Sequence, residues 1–316
     1  MTSKNEQPTE ENIVDIKQPS VEEKVVNKIS EYYSFFTLKP REFKSLTDFW
    51  IVLDLDETLV HTFREGCPLS KVIEDKQDLI ELSSRLYEFD LLDPGYPKDQ
   101  TREVICGIKR PSLRMFLHFC NFYFKGVTIW SAGAPHYVQK IVNEIFKDNF
   151  APFVVYDKNK TIIIENEDET IVQKPLKQMF KNEYLKSLGM TKKNTFIIDD
   201  REDTFSKNVI NGIQIPRYAP ELAVEILKSD DPALKQLMFW FFKDEVINCK
   251  DVSKLEHLKT RIFKEPYDTS ILKSCKIQDF KKYPFCKTFF EGMAAVYEPS
   301  ILKRNVKTPY SKRVGS

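Results

Sequence analysis

Three short apolar runs constrain the fold of this chain more than any other feature of its sequence. They lie at residues 49–53, 127–130 and 195–198, and β-branched or aromatic residues dominate each of them. Each run is apolar at both odd and even positions, so a strand made from it would be apolar on both faces. Such strands are typical of the centre of a parallel sheet that helices cover on both sides.

Amphipathic stripes lie between and after these runs. Apolar residues recur at helical spacing in residues 113–120, 138–146, 176–188 and 232–246. Pro111 and Pro135 stand where the first turns of two of these helices would begin, and Gly189 stands where the third would end. Strands that alternate with helices predict right-handed βαβ units, and therefore an α/β fold built on a parallel sheet.

Composition divides the chain into three parts. Residues 1–45 begin with a polar, charge-rich stretch, which predicts a flexible N-terminal segment. Residues 46–265 contain the apolar patterns and predict the folded domain. Residues 266–316 predict a C-terminal tail whose last positions are basic.

The bulk properties of the chain exclude some classes of function. The net charge is +1, which provides no overall field toward nucleic acid or a membrane surface. The first residues lack a basic-then-apolar pattern, so we expect no signal peptide, and no apolar stretch is uncharged enough to predict a membrane span. The six cysteines include no C-x-x-C pair, which predicts reduced thiols in an intracellular compartment and no structural zinc site.

Polar residues with useful chemistry follow each apolar run. Asp54 and Asp56 follow the first run, Ser131 follows the second, and Asp199 and Asp200 follow the third. Ligands of open α/β sheets bind outside the carboxyl ends of the strands. We therefore expect these residues to meet at one edge of the sheet.

The acidic residues of this group predict a cation site. Asp54 and Asp56 are two positions apart, so they would point the same way from an extended segment and would repel each other unless a cation or a proton intervenes. Asp200 would add a third acidic ligand, and oxygen-only clusters of this kind suit Mg²⁺. Each motif alone has an ordinary explanation as a turn, a helix cap or, for Lys174, a solvated side chain. Their order along the chain is what favours a phosphoryl-transfer site.

The same residues resemble the motifs of a known family. The run DLDETLVH at 54–61 resembles the signature of the haloacid dehalogenase superfamily, and more closely that of the C-terminal-domain phosphatases of RNA polymerase II. Further segments that resemble motifs of this family are KRP at 109–111, IWSA at 129–132, and IIDD at 197–200 with Phe205. The last motif departs from the family's usual Asp-Asn-Ser-Pro, because Arg201 and Glu202 follow the two aspartates.

The resemblance also implies an architecture. It covers residues 48–263 and implies a Rossmann-like haloacid dehalogenase core, so that 46–265 would be a phosphatase catalytic domain. The acidic segment at 161–173 resembles a lengthened β-hairpin insertion. The other insertions are short, which implies that the fold has no large cap domain.

The resemblance assigns roles to individual residues. Asp54 would be the nucleophile that forms an aspartyl-phosphate, and Asp56 would act as the acid and then as the base. Ser131, Lys174 and Thr58 would bind the phosphoryl group, and Thr58 would also tie down the loop that contains it.

Magnesium is the cofactor that the resemblance implies. Asp54, the backbone carbonyl of Asp56, and Asp200 would bind Mg²⁺, while Asp199 would orient these ligands. A carboxylate that attacks a phosphate dianion needs positive charge between the two, which Mg²⁺ and Lys174 would supply.

The implied activity is that of a Mg²⁺-dependent protein phosphatase for phosphoserine and phosphothreonine. Its partner would be a phosphorylated protein or peptide, with the C-terminal tail of RNA polymerase II as the leading candidate. No direct nucleic-acid partner and no membrane partner are expected. The resemblance favours the nucleus over the cytoplasm as the location.

Two alternatives remain open at this point. One is a non-catalytic binding scaffold on the same fold. The other is a phosphatase for a metabolite or a nucleic-acid end. The balanced charge and the acidic residues within 165–169 argue against nucleic acid, which would favour a basic stripe. The absence of a large cap argues against a metabolite, which such a domain usually encloses.

Overall fold

The computed structural model describes residues 45–63, 76–91, 103–147, 151–166 and 169–264. Its strands are β1 (Trp50–Leu53), β2 (Val60–Phe63), β3 (Leu86–Leu91), β4 (Glu103–Lys109), β5 (Gly126–Trp130), β6 (Val155–Tyr156), β7 (Ile162–Glu165), β8 (Thr170–Gln173), β9 (Thr195–Asp199) and β10 (Gly212–Gln214). Except for residue 45, the N-terminal segment at 1–45 and the C-terminal tail at 266–316 lie outside the described residues.

The α-helices of the described residues lie mostly between and after the strands. They are α1 (Lys76–Leu82), α2 (Leu113–Tyr123), α3 (Pro135–Phe146), α4 (Lys177–Lys181), α5 (Glu183–Ser187), α6 (Val224–Lys228), α7 (Ala233–Phe241), α8 (Asp244–Ile247) and α9 (Glu256–Lys259). Short 3₁₀ helices cover Lys158–Lys160, Glu202–Asn211 and Val252–Leu255.

The central sheet has five parallel strands in the order β10-β9-β1-β5-β6. Strand β1 lies in the middle, where Trp50 pairs with Gly126 of β5 on one side and with Thr195 of β9 on the other. The three apolar runs of the sequence are therefore the three central strands, and the prediction of an α/β fold with a parallel sheet is confirmed.

The two faces of the sheet have separate apolar layers. On one face Trp50, Val52 and Ile197 pack in a cluster with Met179 of α4 and Leu185 of α5. On the other face Phe196 contacts the aromatic side chains of α7, with its ring centroid 5.2 Å from that of Phe241 and 5.9 Å from that of Trp240. Helix α2 joins this second layer, where the Tyr123 hydroxyl donates to the carbonyl of Phe241 at 2.6 Å. These layers explain why β1 is apolar at every position.

Two smaller sheets are inserted into this core. Strands β2, β4 and β3 form an antiparallel sheet between β1 and α2, and β7 and β8 form the predicted β-hairpin. Within the described ranges these insertions are short, as the prediction of a core without a large cap domain requires. The pairing of β2, β3 and β4 was not predicted, because the strands come from distant segments with irregular patterns.

Two helices predicted as continuous are broken. The stripe at 176–188 forms α4 and α5, because the backbone of Asn182 is extended (φ −67°, ψ 116°) and its side chain accepts from the N–H of Leu185 to begin a new helix. The stripe at 232–246 ends as α7 at Phe241, and Lys243 is extended before α8. Apolar periodicity continues through both breaks, so it could not locate them.

The thiols differ from the prediction of reduced cysteines. Cys106 on β4 is buried and disulfide-bonded, whereas Cys120 and Cys249 are free. Sequence spacing does not show which cysteines approach each other after folding, so the prediction was wrong at this position. Within the part of the chain that the structure describes, none of the helices combines the length and the apolar character that crossing a membrane requires.

Gly126 is required by the close approach of β5 to the Trp50 indole. A Cβ atom at Gly126 would lie 2.1 Å from Cζ3 of Trp50, whose side chain is fully buried. We expect Gly126→Ala to lower the free energy of unfolding by about 1–3 kcal/mol, because an overpacked core must shift. Urea denaturation measures this, with the exposed Ser187→Ala on α5 as the control. Equal stability of the two variants would contradict the packing described.

Candidate active site

The predicted convergence of polar residues occurs at the carboxyl edge of the central sheet. Asp54 follows β1, Ser131 follows β5, and Asp199 is the last residue of β9. Lys174, directly after β8, is brought to the same place. The backbone N–H of Asp54 donates to the carbonyl of Ile198 at 3.0 Å, which continues the β1–β9 pairing into the site.

Lys174 joins two of these carboxylates. Its Nζ lies 2.5 Å from Oδ1 of Asp54 and 2.7 Å from Oδ2 of Asp199, and its side chain is almost fully buried. Its backbone is fixed as well: its N–H donates to the carbonyl of Thr204 at 2.7 Å, and its carbonyl accepts from the Asn208 side chain at 3.0 Å. The ammonium group is therefore held in position from two directions.

Burial and neighbouring charges shift the pKa values of Lys174 and Asp54. Burial alone would lower the pKa of Lys174, but Asp199 and Asp54 outweigh it and raise the pKa, so the side chain stays charged. Burial raises the pKa of Asp54, the Lys174 charge opposes that shift, and Asp199 and Asp56 add to it. The site therefore contains more carboxyl groups than the single ammonium group of Lys174 can pair with. Lys177, the next lysine along the chain, is exposed on α4.

Three carboxylates of the described residues are close enough to hold one metal ion. Oxygen atoms of Asp54, Asp199 and Asp200 all lie within 4.8 Å of one another. The donor set consists of carboxylate oxygens, which hard cations such as Mg²⁺ prefer. The excess of carboxylates over the single ammonium of Lys174 also fits a cation. The Asp56 carboxylate does not belong to this cluster, and a ligand role for its backbone carbonyl stays a prediction.

Asp199 and Asp200 are oriented differently by their neighbours. Oδ1 of Asp199 accepts from the backbone N–H of Arg201 at 3.0 Å, while its Oδ2 faces Lys174. Burial and the charge of Asp199 raise the pKa of Asp200 to about 6. A cation beside Asp200 would lower the pKa of this carboxyl group again, because it favours the ionised carboxylate.

Thr58 ties the loop after β1 to the end of β9. Its buried hydroxyl accepts from the backbone N–H of Asp200 at 3.1 Å. In the same loop Glu57 has a left-handed backbone (φ 60°), and its carboxylate forms an ion pair with Arg217. The structure thus gives Thr58 a contact that fits loop positioning, and its predicted contact with a phosphoryl group stays a prediction.

Arg110, of the KRP motif, clamps the loop after β1 to other parts of the chain. Its guanidinium is fully buried, and Nη1 donates to the carbonyl of Thr58 at 3.0 Å. Nε and Nη2 donate to the two carboxylate oxygens of Asp231 at 2.8 and 3.0 Å, and Nη2 also donates to the carbonyl of Pro216 at 2.7 Å. One planar side chain therefore joins the loop to two distant parts of the chain.

The Asp56 carboxylate is held by two hydroxyl groups. The Tyr137 hydroxyl donates a short hydrogen bond to Oδ1, and the Ser131 hydroxyl donates to Oδ2 at 3.4 Å. The Ser131 oxygen accepts in turn from the N–H of Gly133 at 3.0 Å. Burial raises the pKa of Asp56, and the hydrogen bond from Tyr137 opposes that shift.

Tyr137 belongs to a chain of hydroxyl groups that sequence reasoning missed. Thr62 on β2 lies 2.6 Å from the Tyr137 hydroxyl and 2.8 Å from that of Tyr87 on β3. This chain connects Asp56 to the antiparallel sheet. One signal was present in the sequence, since Tyr137 is a polar-tipped aromatic residue in the first turns of the helix that follows Ser131. Nothing in the sequence marked Thr62 or Tyr87.

Removing the Arg110 clamp should destabilise the protein. We expect Arg110→Met to lower the free energy of unfolding by about 3 kcal/mol, because it leaves Asp231 and the Thr58 carbonyl without their buried partner. Chemical denaturation measures the change. Arg114→Met, on the exposed side of α2, is the matched control and should stay within about 0.5 kcal/mol of the unsubstituted protein. A loss below 1 kcal/mol for Arg110→Met would contradict the clamp.

About two thirds of the chain matches a known protein family. Residues 49–253 match the family model described as NLI interacting factor-like phosphatase. No curated protein matches the chain.

Two solved structures resemble the chain weakly. One is "The Structure of Fcp1, an essential RNA polymerase II CTD phosphatase", at 15% identity and a TM-score of 0.41, covering 92% of this chain and 59% of that one. The other is an Arg-to-Ala variant of fission yeast RNA polymerase II CTD phosphatase Fcp1 bound to beryllium fluoride, at 16% identity and a TM-score of 0.41, covering 94% of this chain and 72% of that one. The chain therefore spans about three fifths of the first structure.

Proposed function

Because the chain belongs to the NLI interacting factor-like phosphatase family, we propose that it hydrolyses phosphoserine and phosphothreonine in proteins through an aspartyl-phosphate on Asp54. The observation that carries the proposal is the contact of Lys174 with Asp54, beside a carboxylate cluster that fits a cation. Attack on a phosphate needs a nucleophile and nearby positive charge, together with an acid for the leaving group. The buried carboxylate of Asp54, the ammonium group of Lys174 and the nearby carboxyl group of Asp56 would supply them.

The first chemical step transfers the phosphoryl group to the enzyme. An oxygen of Asp54 attacks phosphorus while the bond from phosphorus to the seryl or threonyl oxygen breaks. Asp56, as a carboxylic acid, gives its proton to the departing oxygen. Lys174 and the Ser131 hydroxyl would bind the phosphoryl oxygens and offset their charge.

The second step releases phosphate. Asp56, now a carboxylate, accepts a proton from water, and the water oxygen attacks the phosphorus of the aspartyl-phosphate. The bond between Asp54 and phosphorus breaks, which restores the Asp54 carboxylate and yields inorganic phosphate. Tyr137 would hold Asp56 in one orientation through both proton transfers.

Magnesium is the proposed cofactor. Asp54 and Asp200 would hold it together with the carbonyl of Asp56, and Asp199 would orient these ligands. When bound it would supply positive charge between the attacking carboxylate and the phosphate dianion. Phosphoryl transfer demands mainly positioning and charge stabilisation from the protein, which this set of groups would provide.

A phosphorylated protein segment is the proposed substrate. The insertions of the described residues are short sheets rather than an enclosing domain, which suits a side chain on an extended peptide better than a metabolite that needs to be surrounded. The C-terminal tail of RNA polymerase II is the leading candidate, and the nucleus the leading location, because the DLDETLVH run resembles that of its phosphatases.

Substitution of the nucleophile tests the function directly. Asp54→Asn should lower hydrolysis of p-nitrophenyl phosphate by about 10³-fold or more, because an amide cannot form the acyl phosphate. EDTA should stop the unsubstituted enzyme, and added Mg²⁺ should restore it. The exposed Asp244→Asn is the control for loss of a carboxylate. Substantial turnover by Asp54→Asn would contradict the mechanism. If the unsubstituted protein is inactive in the presence of Mg²⁺, that result would favour a non-catalytic binding scaffold.

The dependence on the leaving group tests the role of Asp56. An alkoxide leaves poorly without a proton, whereas p-nitrophenolate leaves well, so Asp56→Asn should lose about 10²–10⁴-fold on a phosphoserine peptide and much less on p-nitrophenyl phosphate. Tyr137→Phe should show the same preference with a smaller loss, and Tyr184→Phe on α5 should not. An equal loss on both substrates would assign Asp56 a different role.

A further inference from the structure

Strand β7 is unusually exposed for an apolar strand. Ile162, Ile163 and Ile164 are 43%, 46% and 40% exposed, and three consecutive isoleucines leave a large apolar area in contact with water. In the described part of the chain β7 pairs with β8 alone. Among the described residues, one edge of β7 and part of both its faces are therefore uncovered.

The outer edge of β8, by contrast, is already occupied. The backbone N–H of Val172 donates to Oδ2 of Asp203 at 2.7 Å, and the carbonyl of Thr170 accepts from Nη2 of Arg201 at 2.8 Å. Arg201 also forms an ion pair with Asp203. These side chains anchor the hairpin to the segment that follows β9.

This anchoring shows which backbone groups of β7 point outward. Because the N–H of Val172 and the carbonyl of Thr170 reach Asp203 and Arg201, these groups point away from β7. Directly opposed residues of an antiparallel pair either bond to each other or both face outward.

The opposed residues follow from the register. Val172 opposes Ile163, and Thr170 opposes Glu165. The N–H and carbonyl groups of Ile163 and Glu165 therefore face away from β8 and can pair with an added strand.

The base of the hairpin is next in sequence to Lys174 of the candidate active site. Ile162 opposes Gln173, which precedes Lys174, and Lys174 contacts Asp54. From there β7 runs outward for four residues, which is about 13 Å of extended chain. A peptide whose phosphorylated residue reaches Asp54 could thus lie along β7 with its neighbouring residues.

Charges along the hairpin are distributed unequally. The exposed Lys158 and Lys160 precede β7 near the active site, and the exposed Glu165 and Glu169 lie at its far end. This distribution is complementary to a peptide that carries a phosphate at one end and basic residues about four to six positions away.

We propose that the outer edge of β7 binds an extended segment of the phosphoprotein substrate as an added strand. Apolar side chains of that segment would contact Ile162, Ile163 and Ile164, and its Lys or Arg residues would lie beside Glu165 and Glu169. This inference rests on the proposed function, because it assumes that a phosphorylated residue occupies the site at Asp54. Four residues are too few to bury the roughly 1,200 Å² of a stable dimer, so a transient substrate fits this edge better than a second copy.

Phosphopeptides of two lengths test the proposal. The short peptide carries phosphoserine with two residues on each side. The long peptides add a segment of alternating Val and Ile that ends in Lys and Arg, placed before the phosphoserine in one and after it in the other. We expect the better long peptide to have a kcat/KM about tenfold higher than the short one, as a few exposed main-chain hydrogen bonds would provide. N-methylation of its alternate amides should remove that advantage.

Substitution at Ile163 gives the matched test on the protein. Ile163→Pro removes one outward N–H, while the bonds to β8 are made by Ile162 and Ile164. We expect it to reduce the advantage of the long peptide to less than twofold. Ile163→Val keeps the N–H and a β-branched side chain, so the advantage should remain. Ile226→Val, at another exposed isoleucine, controls for general effects.

The outcomes separate this proposal from the function on which it rests. If unsubstituted enzyme hydrolyses neither phosphopeptides nor p-nitrophenyl phosphate, the proposed function fails. If all phosphopeptides are hydrolysed with equal kcat/KM, or if N-methylation has no effect, substrate binding by β7 fails alone. Sedimentation velocity adds one more outcome: a dimer that Ile163→Pro dissociates would assign the edge to a second copy and overturn the proposal.

Discussion

The architecture of the candidate active site depends on one buried ammonium group. Lys174 stands between Asp54 and Asp199, and all three side chains are almost fully removed from water. A buried charge is tolerated only when it is paired and hydrogen-bonded, so the positions of these groups constrain one another. Because Asp54 and Asp199 follow or end adjacent strands, the ion pairs also fix how the hairpin that precedes Lys174 meets the sheet.

A second set of contacts holds the loop that carries the two aspartates. Arg110 and Thr58 fix its backbone, while Tyr137 and Ser131 fix the Asp56 carboxylate. The two carboxylates thus have different surroundings within one short loop. Asp54 faces an ammonium group and other carboxylates, and Asp56 faces hydroxyl groups. This difference is what would let two identical side chains do different chemistry, one as nucleophile and one as acid and base.

The amino-acid sequence predicted the core of the fold because burial on both faces leaves a strong pattern. The three central strands, α2 and α3 were expected from apolar patterns, and the hairpin was expected from the family resemblance. The breaks at Asn182 and Lys243 were not, because apolar spacing persists through them and only backbone angles distinguish them. Contacts between distant segments, such as those of Tyr137 with Thr62, depend on tertiary structure and leave no local pattern. The residues of the site could be predicted because strand ends meet at one edge, whereas the roles of those residues rest on family resemblance and on proposal.

The contacts of Arg110 join residues that are far apart in the sequence, and this affects when the contacts can form during synthesis. Its partners Thr58, Pro216 and Asp231 are separated from it by 52, 106 and 121 positions, and Lys174 is 120 positions from Asp54. A ribosome delivers the loop with the two aspartates early, but the residues that fix it emerge much later. Contacts between residues so far apart in the sequence form slowly, because closing the intervening chain costs conformational entropy. In the nascent chain the two aspartates therefore lack the contacts with Lys174 and Arg110 until most of the domain has been synthesised.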